Sequence, residues 1–171
     1  MKTFKFLALF AAAAALSVAQ NPISVGQKIF FGMVSHNVIA GAEAMPEENY
    51  SFKPTPEVRS FAQLVGHAAD AEYSFCSTAA GEKPPASSSE KSKTSKADLV
   101  QAVKDASAYC DKVYGAMTDD HASDLVKMMG RDMAKVTVLT VNTAHLDEHY
   151  GNMVTYLRLK GIVPPSSAPK K

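Results

Sequence analysis

The segment Asn142-Thr-Ala-His-Leu-Asp-Glu-His-Tyr-Gly151 narrows the folds open to this chain more than any other. His145 and His149 are spaced so that an α-helix sets them about 40° apart around its axis and points both imidazoles toward one place. A helical wheel puts Val138, Val141, Asn142, His145, His149, Met153 and Tyr156 on one stripe, with Leu139, Leu146, Tyr150 and Leu157 beside it. Thr140, Ala144, Asp147, Gly151, Thr155 and Arg158 fall on the other side. The histidine spacing alone equally suits two solvated surface residues. The apolar stripe is what favours an inward-facing pair, since amphipathic helices bury such a face. Two imidazoles buried without partners are costly, and a shared divalent cation satisfies both, given a third ligand from another helix.

Finding that ligand requires the rest of the fold. A chain of 171 residues suits one domain with a sizeable core. The residues after Ser95 are rich in Ala, Val, Leu, Met and Lys, with few Gly or Pro inside the periodic runs, which predicts an all-α protein. A first helix is expected over roughly residues 23–44, with Val25, Ile29, Phe30, Met33, Val34, Ile39 and Ala40 as its repeating apolar positions. His36 within it is a lone histidine and is left out of the ligand set. Residues 45–56 hold three prolines and no periodicity, predicting a crossing loop with Tyr50 and Phe52 against the bundle.

Thr55, Pro56 and Glu57 carry the N-cap, first-turn and dipole preferences of a helix start, so the second helix is expected to begin there. Its stripe Phe61, Leu64, Ala68, Ala71 and Phe75 has His67 on the edge, which makes His67 the third ligand to His145 and His149. Residues 82–94 are Ser, Lys and Pro in the main and are expected to form a mobile polar loop that buries nothing. Ser95 with Asp98 caps a third helix with the stripe Leu99, Val103, Ala106, Cys110, Val113 and Met117. Residues 118–132 permit either a short helix or a hairpin. The last helix is expected from about Met133 to Lys160, closed by Gly161, with a polar tail over 164–171.

Met1 to Lys5 supplies a basic start, Phe6 to Leu16 an apolar run and Ser17-Val-Ala19 a small-x-small cleavage site, the pattern of a secretory signal over residues 1–19. Export to the periplasm or the extracellular space follows, with the bundle over 20–163. An even cysteine count in an exported protein favours a disulfide, and Cys76 with Cys110 would staple the second helix to the third. Cys76 lies about 180° around its helix from His67, which removes it from the ligand set.

These segments resemble the DinB superfamily. The resemblance rests on Met45-Pro-Glu-Glu-Asn-Tyr-Ser-Phe-Lys-Pro, on Phe61-Ala-Gln-Leu-Val-Gly-His67, and on His145-Leu-Asp-Glu-His149-Tyr-Gly running into Tyr156-Leu-Arg-Leu-Lys-Gly161. It implies a four-helix bundle, up-down-down-up with long crossing loops, in which His67, His145 and His149 hold a metal and water completes the coordination. It further implies kinship with metal-assisted thiol transferases and isomerases, and a homodimer formed through an outer helix face.

Three neutral imidazoles suit Zn²⁺, Ni²⁺, Fe²⁺ or Mn²⁺ alike. The expected function is an exported metal-dependent hydrolase or transferase of an unknown small-molecule substrate; the alternative is a non-catalytic metal-binding or stress-related helical protein. His145-Leu-Asp-Glu148-His149 also spells an inverted zinc-protease motif, but the short remainder of the chain has no room for that family's distant glutamate ligand. Glu148 is expected at most to orient a ligand from behind. A formal net charge of +1 gives no reason to expect nucleic acid or, after signal cleavage, a membrane as partner.

Overall fold

The computed structural model describes residues 21–169, so the expected signal over 1–19 lies outside the described residues. Four long helices dominate: α1 (Pro22–Ala44), α2 (Phe61–Ala80), α4 (Lys96–Ala116) and α5 (Lys135–Leu159). A one-turn helix α3 (Ser89–Ser92) precedes α4, and the strands β1 (Leu125–Met128) and β2 (Arg131–Ala134) precede α5. Among the described residues no helix is long and apolar enough to cross a membrane.

Residue pairs fix the helix directions. Glu72 meets Ser107 and Cys76 meets Cys110, so α2 and α4 run parallel. Lys28 pairs with Asp111 and Lys104 with Glu43, so α1 runs against α4. Phe61 lies against Tyr156 and Phe75 against His145, so α2 runs against α5. The bundle is therefore up-down-down-up. Its core is a continuous apolar cluster that includes Phe31, Val38, Phe61, Val65, Leu99, Val103, Leu139, Leu146, Met153 and Leu157. Phe31 stacks on Tyr114 at 4.3 Å between centroids. The Tyr114 hydroxyl donates to Leu139 O and accepts from Asn142 Nδ2, satisfying a polar group that packing removes from water.

The buried face of α1 differs from the expected one. Phe31, Val34, Ser35, Val38, Gly41 and Ala42 turn inward, whereas Ile29, Phe30 and Met33 are 61%, 49% and 62% exposed. The helix is apolar nearly all round, so contacts with α4 and α5 choose the face. Gly41 shows why small residues win there, since a Cβ would sit 3.1 Å from Met153 Cε. The N-terminus of α1 is capped from afar, its Ile23 and Ser24 amides donating to the Asp119 carboxylate.

Helix α2 starts at Phe61 instead of near Thr55. Ser60 and Gln63 form a capping box, and the Phe61 and Ala62 amides donate to the Phe52 and Tyr50 carbonyls of the crossing loop. Those bonds leave no orphan donors for a longer helix to satisfy. Tyr50 is buried and donates to Ala42 O, while Phe52 meets Tyr156 edge to face.

Residues 125–134 form the hairpin, Leu125 facing Ala134 and Met128 facing Arg131. Met129 and Gly130 both have positive φ, the backbone of a two-residue turn between right-twisted strands. The strands take Met133, so α5 opens at Lys135. The tail is tethered where it leaves the bundle, Ser166 exchanging hydrogen bonds with the Tyr150 hydroxyl. Cys76 and Cys110 form a disulfide with Cα atoms 5.4 Å apart.

Candidate metal centre

Antiparallel packing of α2 on α5 brings His67, His145 and His149 together. His67 Nε2 lies 3.4 Å from His145 Nε2, and His149 Nε2 lies 3.1 Å from it. Nitrogen ligands at 2.0–2.1 Å from a tetrahedral metal are about 3.3–3.4 Å apart along each edge, so the residues present fit a divalent ion. His149 is 6% exposed and the other two are half-buried. Phe75 packs edge-on against His145, limiting its ring to this orientation.

The electrostatics keep donor lone pairs free. Burial, then the neighbouring His145 and His67, lowers the His149 pKa to about 4. Burial and His67 lower that of His145 as well. Both rings are thus neutral at pH 7, the form that binds metal.

His67 is held from behind by a residue that sequence reasoning missed. His67 Nδ1 lies 2.9 Å from Glu90 Oε2 and 3.3 Å from Arg59 Nη2; the nearer, acceptor-only carboxylate makes Nδ1–H the donor to Glu90, whose Oε1 accepts from Arg59 Nε at 2.8 Å. Burial opposes ionisation of Glu90, but the bonds from Arg59 and His67 outweigh it and hold the carboxyl below its usual range. Glu90 belongs to the segment expected to be a mobile loop. That expectation is corrected at Ser89 and Glu90: residues 82–88 are exposed, but Ser89 is 3% exposed and its backbone and that of Glu90 pack on α2 at Gly66. Gly66 and Asp70, one turn apart on α2, are the signals that could have revealed it.

The other candidates lie apart. Glu148 is exposed on α5, and among the described residues it makes no hydrogen bond to the trio. His36 is exposed on α1. A cleft of about 650 Å³ opens on the trio at His149, walled by Lys53, Arg59, Gln63, Glu90, Asn152 and Tyr156. The Tyr156 hydroxyl donates to Arg59 O at 2.6 Å and anchors the Arg59 backbone at the cleft wall.

With this geometry in place, the comparisons with known proteins decide the family: the DinB superfamily matches residues 34–153. The chain belongs to the DinB superfamily. A DinB-like protein from Bacillus cereus ATCC 10987 superposes with a TM-score of 0.69 at 16% identity, covering 77% of this chain and 89% of its own. A DinB-like protein from Bacillus subtilis gives 0.67 at 19%, covering 80% and 92%. A mycothiol-dependent maleylpyruvate isomerase gives 0.62 at 12%, covering 76% of this chain and 60% of its own. At these identities the superpositions establish a shared fold. No functionally curated protein matches the sequence.

Proposed function

We propose that this DinB-superfamily protein is an exported metal-dependent enzyme, a hydrolase or transferase acting on a small polar molecule. The observation that carries the reading is the convergence of three histidine Nε2 atoms at the edge of a ligand-sized cleft. His67, His145 and His149 would hold the ion, and a divalent cation there supplies Lewis acidity toward a polar substrate group. The protein's own groups do the rest. Burial keeps His145 and His149 neutral, and Glu90 holds the His67 proton on Nδ1. Gln63, Asn152 and Thr155 on the cleft wall offer hydrogen bonds that would orient a substrate. The Cys76–Cys110 disulfide supports residence in an oxidising compartment, in keeping with the secretory pattern of residues 1–19.

The structural neighbour that is a mycothiol-dependent isomerase supports including thiol acceptors among the substrates tried. The test is a panel of ester, amide and phosphoester substrates and thiol-acceptor pairs, assayed on the mature protein beginning at Gln20. Turnover is expected that chelation abolishes, that Zn²⁺, Ni²⁺, Fe²⁺ or Mn²⁺ restores, and that a His145→Ala variant lacks. Tight metal binding with no turnover across the panel would instead support the metal-binding, non-catalytic reading.

A further inference from the structure

The segment carrying Glu90 is seated on α2 by two devices. The Asp70 carboxylate accepts hydrogen bonds from Ser87 Oγ, from Ser89 N at 2.8 Å and from Glu90 N at 3.0 Å. It thereby caps the amide end of the one-turn helix α3. Gly66 supplies the floor. A Cβ there would stand 2.6 Å from Glu90 N and 2.8 Å from Ser89 C, so only glycine lets the segment approach this closely. The next residue along α2 is His67, and the result of the close approach is the 2.9 Å contact between Glu90 Oε2 and His67 Nδ1.

We propose that Glu90, delivered by the segment docked on Gly66 and Asp70, is the positioning residue for His67 and sets how tightly the three-histidine site holds a divalent cation. The inference rests on the metal reading above. At Nδ1 the acceptor-only carboxylate at 2.9 Å is nearer than the Arg59 Nη2 donor at 3.3 Å and selects the Nδ1–H tautomer, leaving the Nε2 lone pair directed at His145 and His149. Arg59 holds the other carboxylate oxygen, so the carboxylate cannot swing away from the ring without breaking a second charged bond. Among the described residues, His67 is the one member of the trio whose Nδ1 meets a carboxylate; His149 Nδ1 is buried with no protein partner. A ligand supported in this way is better oriented, and losing such support weakens metal binding about 10–100-fold.

Competition of the mature protein with a chromophoric chelator for Zn²⁺ tests this. Glu90→Ala is expected to bind Zn²⁺ about 10–100-fold more weakly than wild type, and Glu90→Gln, which keeps an acceptor, to fall between them. Gly66→Ala leaves Glu90 intact and favours helix, yet should weaken binding in the same direction by lifting the segment. Glu57→Gln, a carboxylate on the same cleft, should bind as wild type. In the metal-free protein, ¹⁵N shifts of the His67 ring should report one Nδ1–H tautomer in wild type and a mixture in Glu90→Ala. A wild type that binds Zn²⁺ together with a Glu90→Ala that binds it equally well overturns this proposal alone. Unchanged affinity in Gly66→Ala overturns the docking role of the segment, and a wild type that binds no Zn²⁺ overturns the metal reading and this inference with it.

Discussion

The Cys76→Ala, Cys110→Ala double variant is expected to lose about 3–4 kcal/mol of stability in a denaturant titration. The two residues are 34 apart in sequence, and the chain-entropy relation for a loop of that length gives this magnitude. Both positions are fully buried between α2 and α4. Those helices run parallel, so no tight turn can join them, and the disulfide supplies a constraint that the intervening segment cannot. A loss below about 1 kcal/mol would show that helix packing alone fixes the α2–α4 pair.

Glu72→Gln is expected to stabilise the protein at neutral pH. Glu72 is 1% exposed in the α2–α4 interface, where Ser107 Oγ donates to its carboxyl at 3.0 Å. Burial raises its pKa to about 8, and the Ser107 bond offsets only part of the shift. In the unfolded chain the carboxyl titrates near the ordinary value of 4.5. Between these values the folded state keeps a proton that the unfolded state has released. The Glu72 contribution to stability is therefore greatest below pH 4.5, falls as pH rises, and is lost by about pH 8. At pH 7 the loss is on the order of 3 kcal/mol. Glutamine has the shape of the protonated acid and no titration, so the two proteins should have similar stability near pH 4.5 and separate increasingly toward pH 8. A difference independent of pH would place the ionised carboxylate in the folded core and refute the raised pKa.

Much of this architecture could be read from residue patterns because the signals agreed with one another. The α5 stripe from Val138 to Leu157 is inward-facing as its periodicity requires, and Ser95 caps α4 through the Asp98 amide. His67 could be located because it sits on the edge of the α2 stripe, level with His145 and His149 once α2 packs against α5. Where signals competed, tertiary contacts decided. Thr55-Pro-Glu and Ser60-x-x-Gln63 are both helix starts, and the second prevails because the Tyr50 and Phe52 carbonyls already accept from the first amides of α2. On α1 an apolar surface nearly all round leaves no moment to choose a face. The hairpin turn was obscured by Met129, a residue with little preference for the positive φ it adopts beside Gly130. Glu90 was hidden by its neighbours: a run of Ser and Lys reads as solvated, and the contacts that seat it, the Gly66 floor, the Asp70 cap and the Arg59 and His67 side chains, all lie far away in sequence.

Metal analysis of the mature protein, purified without a metal-binding tag beside a His145→Ala variant, tests the three-histidine centre most directly. Close to one equivalent of a transition metal in the wild type and none in the variant is the expected result. No metal in either protein, even after incubation with Zn²⁺, Ni²⁺ and Mn²⁺, would contradict a metal site at His67, His145 and His149.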